Sequence, residues 1–151
     1  MQGKSTYETL QADVAKIDEK KLAIRALIKK IEDNFLTSGL KSEIWIEEKF
    51  YEEKRADLQF YYYIGYVPTG DPGISVKTVI QHAVTRQFIE SRTEALTSIE
   101  NVAMFAAACD QIFPLFKEIE RVVREQKIKM LGINLGSLET LASKDLGREQ
   151  I

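Results

Sequence analysis

One cysteine, one histidine, one tryptophan and three prolines in 151 residues leave little material for the commoner kinds of chemistry. The lone cysteine, Cys109, excludes an internal disulfide and any cysteine-rich zinc site. It sits in Ala106-Ala107-Ala108-Cys109, where a small buried thiol is the expected role. The lone histidine, His82, excludes a di-metal bundle built from a Glu-x-x-His on each of two helices. The residue three before it is Val79, which has no oxygen to offer a metal. Nucleophile–histidine catalysis needs an imidazole beside Ser or Cys. His82 lies in Ile80-Gln81-His82-Ala83-Val84, which the spacing places on a helix as a surface or interface group.

Other absences narrow the field further. There is no EF-hand spacing, no phosphate-cradling glycine loop and no dinucleotide fingerprint. No stretch approaches the ~18 unbroken apolar residues of a membrane span. Met1 to Tyr7 is polar and lacks the apolar core of a signal peptide, so a cytoplasmic protein without membrane contact is expected. The net charge of −2, from 21 basic against 23 acidic residues, gives no whole-surface attraction to nucleic acid or acidic lipid.

What is present is an ordinary globular composition, 44 % apolar and 29 % charged, in a chain long enough for one domain. Ser5-Thr6-Tyr7-Glu8 is a capping box. After it, Leu10, Val14, Ile17, Ile24, Ile28, Ile31 and Phe35 recur at steps of three and four, interrupted at Lys21, up to a stop at Gly39. A helix over 5–38 would be roughly 50 Å long, more than a compact domain of this size usually hides.

Residues 43–67 alternate with period two in an aromatic-rich run, Leu58, Phe60, Tyr62, Ile64 and Tyr66 sharing one parity, and predict a β-hairpin. A single long helix is the rival, because the supposed turn, Glu52 to Asp57, contains neither Gly nor Asn. Pro68 to Gly73 is a loop. Val76, Val79, Ile80, Ala83, Val84 and Phe88 then predict a helix from Ser75 to about 90, with a break near 91–97. A further helix over 98–130 should kink or split at Pro114 and end at Gly132. A short helix starting at Ser137, with Leu138, Leu141 and Leu146, closes the chain. The fold class expected is therefore mainly α: a helical bundle with a long N-terminal helix and the 43–67 hairpin, one domain over 1–132 and a partly ordered tail over 133–151.

No constellation here points to catalysis, and no enzyme activity or cofactor is expected. Glu47, Glu48, Glu52, Glu53 and Asp57 form the densest carboxylate cluster, but Lys49, Lys54 and Arg55 are interleaved, as on a salt-bridged face. Two sets of residues could bind another molecule. The stripe Leu10, Val14, Ile17, Lys21, Ile24, Ile28 and Ile31 reads as a protein interface. Tested against its own heptad, a parallel pair sets Asp13 against Asp18 and Lys20 against Arg25, whereas an antiparallel pair centred near residue 22 sets Asp18 against Arg25. Packing on the chain's own later helices is the competing role for the stripe.

The expected function is thus a non-enzymatic structural or adaptor subunit, in a homo-oligomer or protein complex, acting through helix association and possible strand addition at a sheet edge. The alternative is an accessory subunit of a nucleic-acid complex, RNA-guided or ribonucleoprotein. It would use Tyr61 and Tyr63 for stacking and Arg121, Arg124 and Lys127 for phosphates.

Overall fold

The structure, a computed structural model, describes residues 5–144. It begins with helix α1 (Thr6–Thr37), followed by strands β1 (Ile44–Trp45), β2 (Tyr51–Arg55), β3 (Leu58–Val67), β4 (Gly73–His82) and β5 (Phe88–Ala95). A 3-10 turn at Leu96–Ser98 leads into α2 (Val102–Cys109), α3 (Ile112–Leu131) and α4 (Leu135–Ser143).

The strands form one antiparallel sheet in the order β1-β3-β4-β5, with β2 also pairing β3 below β1. The architecture is α+β, with 51 % of the described residues in helix and 25 % in strand, which corrects the mainly α bundle expected from sequence. The error lies in residues 75–90. Val76, Val79, Ile80, Ala83 and Val84 mimic helical spacing, but Ile74, Val76, Thr78 and Ile80 alternate with period two and are all buried on one face. Thr78 hides the alternation when it is counted as polar, although a β-branched threonine suits a strand. His82 therefore ends a strand, and its Nδ1 accepts the N–H groups of Val84 and Thr85 at 3.3 Å.

The expected hairpin is present as β2–β3, but it is not a lone one: β3 also pairs with β4 along its whole length, from Leu58–His82 to Val67–Gly73. The two-residue turn between Arg55 and Leu58 is closed without glycine by Ala56 in the left-handed region, φ 52°. Two hairpins sharing a central strand remove the marginal stability of an isolated one.

The helical termini follow their local chemistry. Ser5 Oγ accepts the Glu8 N–H at 3.1 Å and Glu8 returns to the Ser5 N–H, completing the capping box. Gly39, at φ 80°, turns the chain after α1. The run expected over 98–130 divides at Asp110–Gln111, which places Pro114 in the first turn of α3, where its missing N–H costs no helical bond. α4 begins two residues before Ser137, capped by Asn134, whose Oδ1 accepts the Ser137 N–H. Leu146 and the rest of the tail beyond Lys144 lie outside the described residues.

One core joins the sheet to α1, α2 and α3. Phe60, Tyr62, Ile64 and Tyr66 of β3 and Ile74, Val76 and Ile80 of β4 meet Ile28 and Phe35 of α1, Phe105 and Ala108 of α2, and Leu115 and Ile119 of α3. Phe35 packs edge-on to Tyr66 at 5.3 Å and stacks on Phe116 at 6.0 Å. The buried even-numbered residues of β3 and β4 thus face the helices, and among the described residues no helix lies on the odd-numbered face.

A buried carboxylate docks α1 to the sheet. β5 ends at Ala95, opposite Ser75, so the next amide along β4, that of Ile74, has no strand partner on that side. Glu32 supplies it: its Oε2 accepts the Ile74 N–H at 2.5 Å, and the residue is only 8 % exposed. Gly73 makes the approach feasible, since a Cβ there would lie 2.1 Å from Glu32 Oε2.

Candidate interaction surfaces

The α1 stripe divides into two halves with different fates. Ile28 is 1 % exposed and Ile24 and Ile31 pack against the core, whereas Leu10 is 58 % exposed and Val14 and Ile17 are exposed with it. Lys21 marks the division. Its Nζ donates to the Glu100 carbonyl at 3.0 Å, meets the Glu100 carboxylate at 3.5 Å and lies 5.7 Å from the Phe105 ring. Arg25 joins it, donating to the Ile99 carbonyl at 3.3 Å with its guanidinium 5.9 Å from the same ring. An antiparallel helix pair centred near residue 22 is therefore closed off, because this chain's own 96–105 segment occupies that part of the ridge. Fifteen or so residues of α1, on the N-terminal side of Lys21, project past that cover.

Where the cover ends, a groove of 480 Å³ opens between α1 and α2, walled by Ile17, Ile24, Val102, Phe105, Ala106 and Cys109 and rimmed by Lys16 and Lys20. The small Ala106 side chain keeps it open. Burial holds the Cys109 thiol above its ordinary range, with Asp110 adding to the effect, and its side chain lines the groove wall.

A second apolar surface lies at the other end of the helical layer. α3 runs alongside α1 in the same direction: Phe116 stacks on Phe35, and Gln126 hydrogen-bonds Ser42 at 3.0 Å just beyond the end of α1. Past that contact α3 leaves the body. Ile128, Met130 and Leu131 are exposed, the last by 75 %, and Leu135, Leu138 and Leu141 of α4 continue the exposed series. Between the two helices lies a 790 Å³ groove whose walls include Phe35, Leu40, Ile112, Phe113, Phe116 and Val123. Sequence periodicity assigns the α3 apolar residues only to a helix and does not single out its end as exposed. The available signal was length, since α3 spans more turns than the sheet beneath it can cover.

The helix-free face of the sheet carries the aromatic residues singled out from sequence. Tyr61 and Tyr63 both project there, half-buried. Trp45 lies flat over Gly65, where a Cβ would come within 2.3 Å of the indole. Cations already rest on these rings: Lys49 Nζ is 4.6 Å from Tyr61, and Lys77 Nζ is 4.6 Å from Trp45 and 5.8 Å from Tyr63. Strand parity alone identifies Lys77, which is opposite Tyr63, once β4 is recognised as a strand.

The structure does not bring Arg121, Arg124 and Lys127 to this face. They lie on α3, across the sheet from Tyr61 and Tyr63. Arg121 is also engaged, donating to Glu118 at 2.5 Å and to Glu125 at 2.7 Å, and this pairing holds the Glu118 carboxyl below its usual range.

The carboxylate cluster is spread over both faces of β2. Lys49 pairs with Glu52 at 3.1 Å on one side, while Glu53 on the other side pairs with Arg55 and accepts the Tyr62 hydroxyl at 2.5 Å. Burial, then the Glu53 hydrogen bond, raises the Tyr62 phenol well above its ordinary range. Burial likewise raises Glu32, against the opposing Ile74 hydrogen bond, and raises its neighbour Tyr66, whose hydroxyl is buried without a partner. These groups are locked inside the fold, away from both grooves. Among the described residues no group of three or more His, Cys, Asp or Glu side chains is placed to hold a metal ion, and no helix is long and apolar enough to cross a membrane. Set beside family models, curated proteins and solved structures, the chain matches none of them.

Proposed function

We propose that this protein is a non-enzymatic connector, a structural or adaptor subunit that joins other chains through the two helical ends that leave its body. One observation supports this above the rest: the α1 ridge is core from Ile24 to Phe35 and exposed from Leu10 to Ile17, along a single unbroken helix. Exposed apolar series of this kind mark interaction surfaces, because water contact with them has no structural benefit. A second such series, Ile128 to Leu141, stands at the opposite end, which suits a bridging role. Strand addition is the weaker route, since the outer edge β5 carries Glu90, Arg92 and Glu94, charges that blunt an edge.

The size of the native species tests the reading. In extract and in pure form the chain should run as a species larger than 17.3 kDa, and the Leu131→Glu/Leu138→Glu variant should lose partners while keeping its circular dichroism spectrum. A monomer in extract and in pure form at every concentration would overturn it.

The cations lodged over Trp45, Tyr61 and Tyr63 support a second reading, in which the open sheet face binds single-stranded nucleic acid. Binding to a labelled single strand should then weaken steeply with salt and after Lys49→Ala plus Lys77→Ala. Absence of binding at low salt removes this reading.

A further inference from the structure

We infer that the 790 Å³ groove between α1 and α3 receives α4 of a second copy, each chain lending its last helix to the other about a two-fold axis. The inference rests on the connector reading and names the occupant of one of its surfaces. Both halves of the joint are present in one chain. α4 carries Leu135, Leu138 and Leu141 on one side, and every residue from 135 to 143 is exposed, so its own chain covers none of them. The groove is apolar. Its walls include Phe113, Phe116 and Val123, which stand open in the single chain, exposed by 68 %, 42 % and 41 %.

The hinge favours the partner's helix over the chain's own. Gly132 donates to the carbonyls of Ile128 and Lys129, Ile133 donates to that of Met130, and Asn134 caps α4. These bonds hold the three-residue connection tight, and α4 leaves it on a course clear of the groove. A second copy brings the helix in without disturbing them, and exchange of an identical element is a low-cost route to a dimer. The two α3 ends past Gln126 then run beside each other and cover Ile128 and Leu131.

Extent and polarity fit the same occupant. Seven large apolar side chains between Ile128 and Leu141 are exposed. At roughly 100 Å² each, their burial together with the groove walls meets the ~800 Å² per partner of a stable interface. Glu139 and Ser137 flank the leucine stripe on opposite sides, each about 100° round the helix from Leu138. The groove has a match for both. Lys41 on the α1 side faces Glu139. On the α3 side Glu120 accepts the Ser137 hydroxyl through its Oε1, which in the single chain is buried 3.5 Å from Lys117 with no hydrogen-bond partner.

Disulfide trapping in the full chain with Cys109→Ser tests the exchange. A Val123→Cys chain mixed with a Leu138→Cys chain under mild oxidation should give mainly the mixed cross-link. A predominance of self-links from either chain overturns the inference. When one chain carries both cysteines, the link should join two chains. A link closed within one chain shows α4 folding back onto its own groove and also overturns it. Sedimentation of Lys41→Glu should show dimer affinity weakened about tenfold, from two attractions turned to repulsions, with recovery in Lys41→Glu/Glu139→Lys. Both positions are exposed, so the fold is kept, and failure of the double variant to recover counts against the pairing. A pure wild-type chain that stays monomeric at high concentration ends the inference. If that chain still runs as a larger species in extract, the connector reading survives without it.

Discussion

Glu32 offers the sharpest test of how α1 is held, and hence of how its free half is presented. Changing Glu32 to Gln keeps an oxygen for the Ile74 N–H but removes a carboxylate that burial destabilises. The folded-state pKa is raised above 4.5, so the folded chain holds this proton more tightly than the unfolded one. The stabilisation from this group is therefore fully present below pH 4.5 and is lost as pH rises through the folded value. Desolvation outweighs the hydrogen bond in setting that shift, so the neutral amide should be at least as stable at pH 7, by up to about 1 kcal/mol. The difference should close on acidification to below pH 4.5. Glu32→Ala is a different perturbation. It leaves the Ile74 N–H buried without an acceptor and opens a cavity, a loss of about 3 kcal/mol, or roughly 6–12 °C in Tm for a chain of this length. Urea unfolding followed by the Trp45 emission and by circular dichroism, at pH 7 and again in acid, measures both. If Gln loses as much as Ala at pH 7, or if the Gln–Glu difference is independent of pH, the docking role assigned to this carboxylate is wrong.

Three further outcomes follow from the same geometry. Gly65→Ala should displace the indole of Trp45, shifting its emission and costing about 1–3 kcal/mol; unchanged fluorescence contradicts the close approach. Ala56→Gly should stabilise by about 0.5–1 kcal/mol, because the turn holds Ala56 at positive φ, and a loss of stability in urea would show that the turn has another conformation. In a spectrophotometric alkaline titration, Tyr62 should ionise well above pH 10, and Tyr62→Phe should reduce that late step to the contribution of the buried Tyr66 and cost about 1 kcal/mol; a Tyr62 that titrates with the exposed tyrosines refutes its pairing with Glu53.

Much of the chain was legible from local signals. The capping box at Ser5, the stop at Gly39, the alternation of β3, the break before Pro114 and the short last helix all depend on contacts within a few residues. The helix over 75–90 failed because periods of two and 3.6 share several positions across a short apolar run. Val76, Val79 and Ile80 satisfy either, and only pairing with β3 and β5 settles the matter. Glu32 was invisible for a related cause: the donor it satisfies is forty-two residues away.

The sequence alone determined that α1 is one long amphipathic rod with an apolar ridge, because helical periodicity and end caps are properties of neighbours along the chain. Only the tertiary structure decided where that ridge stops being core. The sheet is wide enough to receive Ile24 to Phe35, Glu100 reaches back to Lys21, and beyond that ion pair the body has no more surface with which to cover Ile17, Val14 and Leu10. Which residues share a face is set by backbone geometry. Which of them remain in water is set by the extent of everything else that folds against them.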